Sequence, residues 1–285
     1  MSAQSLHIQQ EGEDLLLWPM HGFSLSDTLD CGQCFRFYPL EDGCWEGIAH
    51  GRLLRLGLEK DRLTLYRTTR AEFESVWRQY FDLDRDYASI LAATEQNPIL
   101  KKAGQYAGGL RLLRQDMWEA LCSFILSQNN NIPRIKGIIA RLCEAFGDPI
   151  EGGYAFPPAA RLAPLSVEAL APLRSGFRAK YILDAAQKVT DGRVDLPACT
   201  TLPLEKAREM LMQINGVGPK VADCALLFGA GRIECFPEDV WIKRVMRELF
   251  GGRLPDCARP YAGIVQQYLF HYARTGGATD LKKGF

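Results

Sequence analysis

The apolar positions of this chain change rhythm about a quarter of the way along. Between residues 14 and 67 they come in short runs, DLLLW, CFRFY, CWEGIAH, GRLLRLGL and DRLTLYR, separated by Gly and Asp. Short runs bounded by turn residues predict strands. From residue 71 the spacing turns helical, and AEFESVWRQYF and DYASILAAT predict helices within 71–106. From about Asp116 onward the pattern is almost wholly helical. It is broken at Gly147-Asp148-Pro149, at Gly152-Gly153, and along the stretch that holds Pro157, Pro158, Pro164 and Pro172. The chain therefore reads as α+β, mainly α, with its strands first. No internal repeat or low-complexity tail is visible.

Composition narrows the class. With 285 residues, 47% of them hydrophobic, the chain can bury a large core in one or two domains. No apolar run approaches a membrane span, and the polar start MSAQSLHIQQEGED carries no signal-peptide core. Nine cysteines without a short-domain disulfide pattern suit a reducing compartment. Cys31-x-x-Cys34 is a weak zinc signal, with only Cys44 and His50 nearby and no second close-spaced ligand pair, so neither metal nor cofactor is expected. The formal net charge is zero, which excludes a uniformly basic nucleic-acid binder. Any DNA face must be a local patch, such as Lys101/Lys102, Arg111/Arg114, Arg174/Arg178/Lys180 or Lys243/Arg244/Arg247. Taken alone, each of these is ordinarily a solvated helix face.

The chemistry concentrates between Leu211 and Val240, LMQINGVGPKVADCALLFGAGRIECFPEDV. Residues 204–214 have helical apolar spacing, with Glu205, Lys206, Arg208 and Glu209 on the other face. Asn215-Gly216 stops that helix, because both residues tolerate a left-handed C-terminal cap. Pro219 suits the first position of the next helix, which makes Lys220 its second residue. A Gly-rich hairpin between two helices presents backbone N–H groups that can grip a phosphate. A cation is disfavoured at the positive end of a helix dipole, which favours the neutral amine a nucleophile needs. Asp239 precedes a helix over residues 240–250 and is a good N-cap. A capping carboxylate stays ionised, and it can stabilise positive charge as a glycosidic bond breaks. A lone first-turn lysine is ordinarily just solvated; the hairpin and the downstream aspartate together favour chemistry on a nucleotide within DNA.

This segment resembles the helix-hairpin-helix DNA glycosylase superfamily, and the chain is similar to its 8-oxoguanine DNA glycosylase/AP lyase family. Three more segments carry the likeness: Cys31-Gly32-Gln33-Cys34-Phe35-Arg36, Ser127 through Arg134 (SQNNNIPR), and Pro260-Tyr261-Ala262-Gly263 through Phe270. The resemblance implies an N-terminal antiparallel sheet domain, residues 1–112, packed on a helical glycosylase body, residues 113–285, with the substrate cleft between them. It implies a monomer acting on double-stranded DNA that contains oxidised guanine, and a Schiff base on Lys220 followed by β-elimination, with Asp239 as its electrostatic partner. Gly32 resembles the residue whose carbonyl accepts from N7–H of the oxidised base. Cys224 and Phe270 resemble the two sides of a sandwich around that base. Pro237 joins this pocket, and Gln266 resembles the reader of its Watson–Crick edge. Asn129, Asn130, Arg134, Phe177 and Arg178 fall where the family contacts the orphaned cytosine and neighbouring DNA. Gly216, Val217, Gly218 and Val221 fall on the phosphate-binding hairpin.

Two positions depart from the eukaryotic pattern. Trp241 stands where a phosphate-contacting histidine is typical, and Phe177 replaces a wedging tyrosine. They suggest a bacterial-type member, nucleoid-associated in the cytoplasm, whereas a eukaryotic one would be nuclear. The iron–sulfur branches carry four cysteines after the helical body, but only Cys257 follows Asp239 here. The 3-methyladenine branch lacks the lysine, so Lys220 argues against it. Two alternatives stay open: a glycosylase of this fold with another lesion, and a non-catalytic DNA-binding module that uses only the hairpin.

Overall fold

A computed structural model describes residues 6–275; the first five residues of the polar start lie outside them. Strands β1 (His7–Glu11) and β2 (Asp14–Trp18) pair antiparallel, His7 opposite Trp18 and Glu11 opposite Asp14. The β1 sequence, HIQQE, has no apolar alternation and is absent from the predicted strands. It lies at the sheet edge with only Ile8 half-buried, so no apolar face was required of it. Its Gln10 side chain donates to Thr68 O (3.1 Å) and accepts from Arg70 N (3.0 Å).

Helix α1 (Leu25–Leu29) follows, capped by Ser24, and then β3 (Phe37–Pro39), β4 (Trp45–Ala49), β5 (Arg52–Glu59) and β6 (Arg62–Tyr66). The six strands form one antiparallel sheet in the order β1-β2-β6-β5-β4-β3. The strand expected over CFRFY is shortened. Gly32 takes φ +89°, residues 34–36 do not pair, and the ladder begins with Phe37 opposite Gly47. At that crossing Gly47 is required, since a Cβ there would lie 2.5 Å from the Phe37 ring.

Residues 70–80 are helical as expected, but α2 (Arg70–Glu72) and α3 (Arg78–Tyr80) flank a π-helical turn, Phe73–Trp77. Then come α4 (Tyr87–Thr94) and α5 (Pro98–Ala107), capped by Asp86 and Asn97. The helical stretch continues with α6 (Met117–Ser127) and α7 (Ile132–Phe146). A small hairpin of β7 (Pro149–Ile150) and β8 (Gly153–Tyr154) sits where the glycine breaks were read. After it run α8 (Ala159–Leu162), α9 (Arg178–Thr190), α10 (Leu204–Leu211), α11 (Pro219–Phe228), α12 (Val240–Phe250) and α13 (Ala262–Thr275). Among the described residues no helix is long and apolar enough to cross a membrane.

The chain gathers into two compact units, each assembled from separated segments. Among the described residues the first takes 6–31, 56–113 and 233–275. Its core joins Leu15, Leu17, Leu63 and Leu65 of the sheet with Phe73, Trp77, Tyr80 and Phe81. Tyr80 and Phe81 meet edge to face, 5.1 Å between ring centroids. The second takes residues 32–55 and 114–232. Helix α6 is buried from Trp118 to Leu126, which is why it is apolar on nearly every face. Phe124 stacks on Phe228 of α11, 5.0 Å between centroids and 18° between planes. Fully buried side chains such as Leu121, Ile125 and Leu226 each stabilise by about 2 kcal/mol.

Candidate active site

The hairpin lies in the second unit. Helix α10 ends at Leu211, and Ile214 drops into the core. Gly216 then takes φ +79° against the ring of Tyr181, where a Cβ would lie 2.4 Å from Cδ2. Both the backbone angle and the ring exclude a side chain there. Asp184 of α9 fixes the turn, accepting from Asn215 N (2.7 Å) and Asn215 Nδ2 (3.0 Å). Lys188, bonded to the same carboxylate at 2.8 Å, donates to Gln213 O at 2.6 Å. Val217 and Val221 are buried, so this hairpin offers its backbone outward. Among the described residues no acceptor faces the N–H of Gly216 or Gly218.

Gly218 is the N-cap of α11 and Pro219 its first residue, which places Lys220 second, as the sequence predicted. The lysine is half-buried. Its Nζ lies 3.4 Å from Ser127 Oγ and 5.5 Å from the centroid of the Phe124 ring. Ser127 Oγ donates to Phe124 O (2.8 Å), so a lone pair is left to receive the amine. Ser127 was not singled out from the sequence. It is 93 residues from Lys220, and only its place in the SQNNN run pointed to it. One turn along α11 from Lys220, the buried Cys224 lies on the same helix face. Its neighbour Asp223 is gripped by Arg208 of α10 at 2.6 and 3.2 Å, which ties the two helices of the hairpin together. Next to Gly32, Gln33 O accepts from Gln115 Nε2 (2.7 Å), and Gln115 N donates to Phe228 O (2.7 Å). The Gly32 bend is thereby linked to the far end of the lysine helix.

The asparagine loop follows α6 in the same unit. Asn129 takes φ +47° and is exposed. Asn130 Nδ2 closes the end of α6 by donating to Leu126 O (3.0 Å), and Asn131 Oδ1 opens α7 by accepting from Arg134 N (3.0 Å). The two arginines assigned to this region differ in setting. Arg134 is exposed, with Nη2 3.5 Å from Arg174 O. Arg178 is 2% exposed and holds the loop from beneath. It donates from Nε to Gln128 O (2.8 Å), from Nη2 to Asn129 O (2.7 Å) and from Nη1 to Ser175 O (3.1 Å). Burial, with the Arg134 charge nearby, lowers its pKa from the usual arginine value. Phe177 is 48% exposed, with the Arg178 guanidinium 4.4 Å from its ring centroid and Tyr181 against its edge.

The first unit carries the remaining candidates. Asp239 caps α12, its Oδ1 accepting from Ile242 N at 2.8 Å. Beside it Val240 is 77% exposed, and Trp241 is half-buried. Gln266 of α13 is buried and donates from Nε2 to Pro237 O at 3.1 Å. Phe270, one turn further along α13, is half-buried under the Arg274 guanidinium. Cys31 is buried and in no disulfide, with Sγ 3.5 Å from Thr28 O; Cys34, in the second unit, is likewise buried and outside any disulfide. Among the described residues no group of three His, Cys, Asp or Glu is arranged to hold a metal.

Two family models match consecutive parts of the chain. The one described as 8-oxoguanine DNA glycosylase, N-terminal domain, matches residues 15–121. The one described as HhH-GPD superfamily base excision DNA repair protein matches residues 122–255. A solved structure of MBOgg1 in complex with a low affinity DNA ligand is 41% identical, with a TM-score of 0.90. The likeness covers 96% of this chain and 100% of that one. The Clostridium acetobutylicum 8-oxoguanine glycosylase/lyase, solved with double-stranded DNA containing cytosine opposite 8-oxoG, is 35% identical with a TM-score of 0.89. That match covers 97% of this chain and 100% of that one. The Saccharomyces cerevisiae N-glycosylase/DNA lyase is 39% identical over 155 residues, 49% of this chain. That match spans only 41% of the yeast protein's length.

Proposed function

Because the chain belongs to the 8-oxoguanine DNA glycosylase family, we propose that it excises 8-oxoguanine opposite cytosine in duplex DNA and then nicks the strand. The damaged nucleotide first leaves the base stack. Lys220 Nζ, as a neutral amine, bonds to sugar C1′ while the bond from C1′ to N9 breaks. The base leaves with that electron pair and takes up a proton. The Asp239 carboxylate stabilises the positive charge that develops on the sugar. The amine then loses a proton and the sugar ring opens to a Schiff base. Loss of a proton from C2′ expels the 3′ phosphate with its bonding electrons.

The other residues divide the recognition. Gly32 O accepts from N7–H, which guanine lacks; guanine would set two acceptors face to face, at a cost of about 1–3 kcal/mol. Cys224 and Phe270 enclose the base, with Pro237 and Gln266 at its edge. The N–H groups of Gly216, Gly218 and Val221 grip phosphate, and Val217, whose N–H donates to Ile214 O (3.0 Å), anchors the hairpin to the core. Asn129, Asn130, Arg134 and Phe177 meet the strand opposite. Arg178 acts there by holding the loop, since its donors are engaged by carbonyls.

The observation that carries this reading is Lys220 itself. It is a half-buried amine at the start of a helix, beside the open hairpin N–H groups and on one face with Cys224. Borohydride reduction on duplex DNA containing 8-oxoguanine, with peptide mapping of the adduct, tests it. Lys220→Gln should retain lesion binding and lose both base release and the cross-link. A cross-link of normal yield in that variant would move the nucleophile elsewhere.

A further inference from the structure

A chain of buried side chains lies behind Gln266. Gln267 Nε2 donates to Gln266 Oε1 at 2.7 Å, and Gln267 Oε1 lies 3.6 Å from Cys31 Sγ. Gln266 and Gln267 are each 4% exposed, and Cys31 is fully buried. Gln266 Nε2 in turn donates to Pro237 O at 3.1 Å. The direction of this chain is not free. A proline carbonyl can only accept, so the amide group facing it must be –NH2. That places Gln266 Oε1 toward Gln267, where it needs a donor, so Gln267 must present its own –NH2 and turn its oxygen to the thiol. The Cys31 S–H is shared between that oxygen and Thr28 O (3.5 Å).

We infer that Gln267 is a positioning residue for base specificity: it locks the amide of Gln266 in one of its two flipped states. The inference rests on the reading of Gln266 as the residue that meets the Watson–Crick edge of the extruded base. A primary amide has two N–H donors and two lone pairs on its oxygen. With one of each engaged by Pro237 and Gln267, Gln266 keeps one donor and one acceptor for a ligand. Guanine offers an acceptor at O6 and donors at N1–H and N2–H, which that pair can meet. Adenine offers the reverse, a donor at N6 and an acceptor at N1. An amide free to flip would serve both. One held from behind serves the guanine edge and leaves an adenine edge facing like groups.

The test compares base release from duplexes carrying 8-oxoguanine or 8-oxoadenine, by wild type, Gln267→Met, Gln266→Ala and the double variant. Methionine is similar in length and uncharged but cannot donate to Gln266. Gln267→Met should lower kcat/KM for 8-oxoguanine by about five- to tenfold, the worth of one neutral hydrogen bond. It should also narrow the preference over 8-oxoadenine, a ratio that simple loss of stability leaves unchanged. In the Gln266→Ala background the same change should add less than about twofold, because its effect passes through Gln266. Gln267→Glu supplies a second readout. The neutral carboxyl can still donate to Gln266 and the ionised one cannot, so this variant's activity relative to wild type should fall as pH rises. Equal losses from Gln267→Met in both backgrounds, or an unchanged preference, overturn the inference while leaving Gln266 as a reader. Wild-type rates in Gln266→Ala overturn the reading of Gln266 and this inference with it.

Discussion

The hairpin at residues 215–220 and the loop at residues 128–134 lie in one unit, and each closes a helix and opens another with a proline in its first turn. They are built in opposite ways. The hairpin turns its side chains inward, Val217 and Val221 into the core, and leaves glycine N–H groups outward. The loop turns Asn129 and Arg134 outward and has its carbonyls at Gln128 and Asn129 taken from beneath by Arg178. One surface offers backbone and the other offers side chains. Backbone donors suit phosphates, which carry no sequence information, and side chains suit base edges, which do. Under the proposed function, the first surface grips DNA and the second discriminates.

The largest test is Arg178→Met. It leaves three carbonyls, those of Gln128, Asn129 and Ser175, without their donor, and should lower stability by about 3 kcal/mol or more. Preference for cytosine opposite the lesion should disappear with it. Arg178→Lys should recover little, because an ammonium cannot reproduce the fork. A denaturation midpoint within experimental error of wild type would show that the loop holds itself.

Gly216→Ala comes next. It places a Cβ at φ +79° against the Tyr181 ring and should cost about 2 kcal/mol. Affinity for lesion and lesion-free duplexes should fall together in a titration, since a backbone grip is blind to sequence. A loss confined to lesion DNA would break the contrast between the two surfaces. Arg134→Ala should do the converse. Being exposed, it should change stability by less than about 0.5 kcal/mol. Cleavage opposite cytosine should drop more than cleavage opposite adenine, by about 1–3 kcal/mol of discrimination. Equal losses opposite all four bases, with a shallower salt dependence, would make Arg134 a phosphate contact. The smallest effect belongs to Asn131→Ala, which removes the cap of α7 at about 1 kcal/mol in thermal melting and leaves opposite-base ratios unchanged.

Much of this molecule follows from near neighbours along the chain. The helix over residues 240–250 with its aspartate cap and the second-residue position of Lys220 rest on interactions within four residues, whereas the helix expected to run to Ile214 stops at Leu211, and Asn215 is held by Asp184 from another helix. Four of the five strand segments in residues 14–67 match the observed strands closely because each carries its own apolar run and turn signals. The exceptions are instructive. The edge strand β1 has no apolar alternation because one neighbour and a glutamine side chain suffice to hold it. Cys34, Phe35 and Phe37 of CFRFY are buried, yet only the end of the run pairs, since Gly32 turns the backbone before Phe37.

What the sequence by itself determined is therefore the family, the order of elements, the turn that bares its N–H groups and the place of the lysine in its helix. What only the tertiary structure decided is how buried polar groups are satisfied. Ser127 meets Lys220 across 93 residues, Asp184 reaches Asn215 across 31, and Arg178 reaches Asn129 across 49. Cys31 approaches Gln267 across 236. Most buried donors and acceptors find a partner, but no rule of spacing says which one, because any polar group of suitable reach serves. Folding brings the partners together, and that choice separates the exposed arginine at 134 from the buried one at 178.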